Sequence, residues 1–355
     1  MKSRILLFAF LALALHWACT SNEYPTSNRP PFYPNQHTTP TITVTATPTF
    51  ESTPTYLGSW VVNAPNGLAV TNSSSSYLYV AEGDGASVSQ VQVFNATGGS
   101  PLTQWSSYST GTTVIPFQWP NGVAINPSNG NLYVLDSGND STGVGAVYEF
   151  GPAPTYSPVT YWTGYNSTTL SYPGGIALDA SGNVYVADLG NGLLEEYSPL
   201  GAPLAQWSAS YQSYPVWPVG VAVDGTGNVY VADGNNGLIW QLTLSGSTFS
   251  AGATWALPPI PASIRENDPY APQFYSLAVD GDGNLLVGDY DNSVVEVYTP
   301  SGSLLTELTG GATAFGGPSA VLFYNGDFYV GDYDAVILGS TNTAGNIQYF
   351  GPVSY

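Results

Sequence analysis

The sequence predicts an all-β protein: a six-bladed β-propeller of four-stranded antiparallel blades, with an N-terminal strand completing the last blade. Three observations carry this. Only 8% of residues are charged while 14% are aromatic, and 40 glycines and 28 prolines punctuate the chain. That composition disfavours long surface helices and favours short strands joined by tight turns. One short pattern recurs six times at propeller-like spacing. The last repeat lacks a strand that the start of the array supplies.

Each unit opens with a Pro-x-Gly-type strand. The segments are Pro65 to Val70, Pro120 to Ile125, Pro173 to Leu178, Pro218 to Val223, Phe274 to Val279 and Gly317 to Leu322. Their third residues, Gly67, Gly122, Gly175, Gly220, Ser276 and Ser319, are separated by 55, 53, 45, 56 and 43 positions. A second strand follows and ends in an acid: Glu82, Asp136, Asp188, Asp233, Asp289 and Asp332. The offsets from the third residue are 15, 14, 13, 13, 13 and 13, too regular for coincidence.

Between these strands lies a turn such as Asp179 to Asn183 or Asp224 to Asn228, whose glycine suits a left-handed position. A third strand follows, as in Leu193 to Tyr197 and Val294 to Tyr298. A fourth carries Trp105, Trp162, Trp207 or Trp255. Four strands make a propeller blade. The pattern Pro-x-Gly-(Ile/Val)-Ala-x-Asp-x-x-Gly-Asn-x-Tyr-Val-Ala-Asp resembles the NHL repeat, over about residues 56–355 and most closely in units three and four. The resemblance implies a six-bladed propeller. The arginine that such repeats often carry soon after the acid is absent: the stretches read Asn191-Gly192-Leu193, Asn236-Gly237-Leu238 and Asn292-Ser293-Val294.

Closure follows from bookkeeping. The chain's final segment, Ile347 to Pro352, matches the third strand of unit two, Val147 to Pro152. Tyr56 to Trp60, complete with its tryptophan, resembles the missing fourth strand. The two ends are expected to join, which removes an open edge.

The first residues predict an address. Ile5 to Leu15 is an unbroken apolar run, long enough for a signal-peptide core and too short to span a bilayer. Residues 1–18 are read as a lipoprotein-type signal peptide. Cys19, the only cysteine, falls where the lipobox of bacterial lipoproteins places its lipidated residue, although His16 and Trp17 depart from that motif. The resemblance implies export and lipid anchoring at the outer membrane or cell surface. Residues 19–55, rich in Thr, Pro and Ser, show no apolar periodicity and are read as a disordered stalk. Residues 56–355 are the propeller.

Net charge is -20, from 24 acids against 4 bases. Such a chain has no electrostatic footprint for phosphates, so no nucleic-acid partner is expected. The propeller contains no His, Lys or Cys. Serine–histidine and cysteine–histidine catalysis and histidine-ligated zinc are therefore excluded. The histidine-dependent chemistry of lyases resembling the peptide-amidating enzyme's second domain fails on the same ground.

Carboxylates remain. Glu82, Asp136, Asp188, Asp233, Asp289 and Asp332 are expected on one face. They would either cap backbone N–H groups of their loops or form a ring of negative potential for a cation. Asp280, Asp282 and Asn284 resemble the opening of a calcium loop, but they also occupy the hairpin-turn position of every unit. Trp119, Tyr172, Trp217 and Phe274, with Asn66 and Asn121, lie near the mouth. They would stack on sugars or grip peptides, or else pack between blades. Arg265, the propeller's only base, sits in the long 258–273 connection, as part of a lid or paired with a local acid.

The expected function is a surface-anchored, non-catalytic binding or scaffold propeller, monomeric, with a protein, peptide or glycan partner and no certain cofactor. The alternative is a calcium-dependent hydrolase or lyase resembling gluconolactonase-type propellers. The apolar first strands offer that alternative no inward glutamate.

Overall fold

The computed structural model describes residues 54–71, 76–83, 88–138, 143–259, 275–311, 313–333 and 345–352. All regular structure among them is β. Six four-stranded antiparallel sheets form six blades. Blade one runs Pro65–Val70, Tyr77–Gly83, Ser89–Asn95 and Thr103–Trp105. Blades two to five start at Pro120, Pro173, Pro218 and Tyr275 and repeat that meander.

Blade six takes three strands from the end of the chain, Pro318–Tyr324, Asp327–Asp332 and Asn346–Phe350, and its outer strand from Tyr56–Val61. Trp60 pairs with Ile347 and Tyr56 with Phe350. The expected closure is thus present: the two ends of the array share one sheet, and the C-terminal strand Asn346–Phe350 is paired on both sides, with Tyr56–Val61 taking the outer position.

The first strands form the inner ring. Each packs against both neighbours, and Pro318–Tyr324 returns to Pro65–Val70, which closes the circle. Glycine permits this approach. A Cβ on Gly67 would lie 2.7 Å from Gly122 Cα, and one on Gly220 would lie 2.4 Å from the Tyr275 carbonyl oxygen.

The core lies between blades. Second strands such as Val184–Asp188 and Val229–Asp233 are buried throughout, because each sheet is covered on both faces. One apolar layer joins Val91 and Val93 of blade one to Val134, Tyr148 and Phe150 of blade two. Equivalent layers join blades two to three, three to four, five to six and six to one. The outer-strand tryptophans interlock with the next blade. Trp60, Trp162 and Trp255 cover Gly98, Gly201 and Gly302, turn glycines at positive φ. Trp105 stacks on Tyr156 with ring centroids 4.8 Å apart.

Candidate functional site

The register brings the strand-end acids to one face. Pro65 pairs with Glu82, Pro120 with Asp136, Pro173 with Asp188, Pro218 with Asp233, Tyr275 with Asp289 and Pro318 with Asp332. A proline suits the first residue of a strand because no ladder N–H is needed there. The acids are buried, 0–2% exposed. A buried carboxylate must be hydrogen-bonded or neutral.

The bonds are local. Asp136 accepts the backbone N–H groups of Gln118, Trp119 and Gly138 at 2.7, 2.9 and 2.9 Å. Glu82 accepts from the Asn63 backbone and the Gln90 amide. Asp188 accepts from the Ser171 N–H and the Asn191 amide, and Asp233 from the N–H groups of Trp217, Asn235 and Asn236. Asp289 is held by Asn292, and Asp332 accepts from Gly316 and Gly317. In five blades the carboxylate thus ties the strand-entry segment of its own blade to the end of the second strand. For blade five that entry segment lies outside the described residues. These are the capping bonds that the alternative to an open charged ring requires.

Burial nevertheless raises these groups. Desolvation pushes Asp188 up to about 7, and Asp233 and Asp289 up to about 6, against the lowering effect of their asparagine donors. Glu82 and Asp136 are raised for the same reason.

The mouth aromatics are packed. Tyr172 and Trp217 are each 7% exposed, and only Trp119 is half-buried. The rings of Trp119 and Tyr172 lie against Gly83 and Gly143 of the preceding blades. Asn66 donates to the Gly83 carbonyl at 2.6 Å, and Asn121 reaches the carbonyls of Pro173 and Gly174 in the next blade. Ser319 donates to the Pro65 carbonyl across the ring closure. Asn121 and Ser319 therefore staple neighbouring blades, whereas Asn66 bonds within its own blade. Phe274, Arg265 and Cys19 lie outside the described residues, as do residues 1–53 of the leader and stalk.

Asp280, Asp282 and Asn284 sit at the opposite end of blade five. Asp280 Oδ1 accepts the N–H groups of Asp282 and Asn284, and Oδ2 accepts the Asn284 amide. Asp179 and Asp224 make the same bonds in blades three and four. The residues form a repeated Asx-type hairpin turn. Among the described residues, no group of three or more His, Cys, Asp or Glu is placed to hold a metal ion. The donor set described does not fit a channel calcium, because the ring acids are bonded to their own blades.

The sequence reading missed the buried acids of the third strands. Glu149 accepts from Asn131 and Tyr133, and Glu195 from Tyr197 and Gln206. Glu296 is fully buried, and neither oxygen has a hydrogen-bond partner of standard geometry. Burial, then Asp289 and Glu307, hold it well above the usual carboxylate range. The signal was an acid inside an otherwise apolar strand.

A family model described as SMP-30/Gluconolactonase/LRE-like region matches residues 95–219. An NHL-repeat model matches residues 216–242, in blade four. No curated protein matches the sequence significantly. Among solved structures, virginiamycin B lyase from Staphylococcus aureus is similar at 14% identity and a TM-score of 0.52, covering 84% of this chain and 89% of that one. The structure of U3-55K is similar at 12% identity and a TM-score of 0.53, covering 83% of this chain and 99% of that one. A protein of unknown function from Bacteroides caccae is similar at 12% identity and a TM-score of 0.52, over 73% and 83% of the two chains. At these identities the likeness is one of fold. Together with the six blades, the two family models support a propeller of the NHL/SGL type.

Proposed function

We propose that this protein is an exported, non-catalytic binding or scaffold propeller, monomeric, held at the bacterial envelope through lipidated Cys19 and a 19–55 stalk. Its partner is a protein, peptide or glycan outside the cytoplasm. One observation carries the non-catalytic reading: the six carboxylates at the mouth are consumed by bonds to their own blades. Catalysis needs acids that converge on a reacting atom. The lyase of similar fold has a histidine-to-alanine variant that is catalytically inactive. This chain has no histidine after His37.

The family match over residues 95–219 favours a second reading, a calcium-dependent hydrolase or lyase. Calcium calorimetry of the purified protein, run beside lactone and ester hydrolysis assays, separates the two. The binding reading expects no turnover, and calcium-dependent turnover would replace it. Labelled palmitate incorporation, lost on Cys19→Ser, tests the anchor.

A further inference from the structure

The outer strands of blades one, two and three are each followed by an extra two-stranded hairpin before the next blade begins. These are Ser107–Ser109 with Val114–Pro116, Gly164–Tyr165 with Thr168–Thr169, and Ser210–Tyr211 with Tyr214–Pro215. Their roots are closed by Phe117 N–H to Ser106 O, Leu170 N–H to Thr163 O, and Val216 N–H to Ala209 O. Phe117, Leu170 and Val216 are buried. Tyr108 stacks on Tyr148 of blade two, and Tyr165 packs on Tyr197 of blade three. The first two hairpins are thereby clamped across a blade boundary, which pre-organises their tips.

All three stand on the acid face. They follow Trp105, Trp162 and Trp207, which pair with Val91, Val147 and Leu194 at the strand ends beside Glu82, Asp136 and Asp188. Two further junctions differ. The connection after blade five is reduced to one bridge, Gly310 with Ala314. The closing strand reaches Pro65 through residues 62–64 alone. The hairpins thus rise from three consecutive blade junctions.

Their chemistry is uniform. Residues 105–120, 162–173 and 207–218 contain no charged side chain, in a chain of net charge -20. The tips expose Thr112, Asn166, Gln212 and Ser213, with Tyr165 and Tyr211 half-exposed beside them. Asn166, Gln212 and Ser213 have φ of 55°, 49° and 76°. Gln212 and Ser213 fill both central positions of a two-residue hairpin turn, where glycine or Asn-Gly is the relaxed choice. Side chains that hydrogen-bond are kept there at a conformational cost.

Hydroxyls, amides and tyrosine rings recur in surfaces that bind by adaptable hydrogen bonds and stacking. An anionic ligand meets no cation here and a repulsive net field. A cationic peptide finds no acid on the hairpins, and the ring acids are buried. Neutral hydroxyl groups match both donors and acceptors, and sugar C–H faces match the rings. We infer that the three hairpin tips form one surface that binds a neutral glycan. The inference rests on the binding reading above and names its ligand class.

The test is affinity electrophoresis of the full-length purified protein in gels containing mannan, dextran, xyloglucan, mixed-linkage glucan or anionic polygalacturonate. At least one neutral polysaccharide should retard it, and polygalacturonate should not. The triple variant Asn166→Gly, Gln212→Gly, Ser213→Gly relieves the positive φ and removes the tip side chains, so its melting temperature should hold or rise. Its affinity for the retarding glycan should fall at least tenfold, while Ser181→Ala on the opposite face leaves affinity unchanged. Absence of retardation by every neutral polysaccharide overturns the inference. So does a folded triple variant that binds within twofold of the parent. Release of new reducing ends from the bound glycan would instead overturn the non-catalytic reading and leave the surface standing.

Discussion

Glu296 stands directly opposite Glu307 on the two outer strands of blade five. The same position in blade three pairs Glu195 with Gln206, whose amide donates at 2.8 Å. In blade one it pairs Gln92 with Gln104 at 2.9 Å. Blade five alone sets two acids face to face, and the facing Glu307 adds to the burial that disfavours the charged form of Glu296, a cost to the sheet.

Glu307→Gln should therefore stabilise the protein. It gives the buried Glu296 a donor of the kind Gln206 gives Glu195. The expected gain is about 1 kcal/mol, seen as a melting temperature roughly 2 °C higher at neutral pH. A lower melting temperature would show that the paired acids are not in conflict.

Stability should fall as pH rises from about 4 to 8. Asp188, raised to about 7, and Asp233 and Asp289, raised to about 6, hold protons in the folded state that the unfolded chain has released. In that window the folded protein binds more protons, so the unfolding free energy has a negative slope with pH. The contribution is fully present below the unfolded carboxylate range and is lost as pH passes through 6 to 7. Melting curves at pH 5 and 8 should differ by several degrees in favour of pH 5, and Asp188→Asn should flatten the difference.

The closing strand should hold the whole ring. Tyr56 packs edge-on against Phe350, and Trp60 contacts Phe94 in blade one. Deleting residues 56–62 should lower the cooperative melting temperature of the entire propeller. Trp60→Ala alone should cost about 3 kcal/mol. Melting of the deletion at the parent temperature would contradict the closure.

The inner ring should reject a single methyl group. Gly220→Ala places a Cβ 2.4 Å from the Tyr275 carbonyl oxygen, whereas a Cβ on Gly225 in the same blade meets nothing within 4 Å. The first should destabilise by more than about 2 kcal/mol, and the second by less than about 0.5 kcal/mol. Denaturant midpoints of the two variants give the comparison.

Much of the fold was readable because each second strand lies between two neighbouring blades. That constraint keeps the spacing from Gly175 to Asp188 and from Gly220 to Asp233 identical. The tryptophans announced the outer strands, including Trp60 at the wrong end of the chain. The acids were also readable as a set. Their use was less so: whether Asp136 faces the channel or caps Trp119 depends on where the entry segment runs. The hairpins were not readable, since Gln212-Ser213 is poor turn chemistry and the three tips share no repeated sequence.

By itself, then, the sequence determined the number of blades, the closure through Tyr56–Val61 and the absence of histidine, lysine and cysteine chemistry from the propeller. Those properties follow from local periodicity and composition. Only the tertiary structure decided that the ring acids are buried caps, that Asn121 and Ser319 staple blades, and that three uncharged hairpins gather at consecutive junctions. Each depends on groups that are not neighbours in the chain: the pairing of first and second strands within a blade brings each acid to its entry segment, and the packing of one blade on the next places the staples and the hairpins.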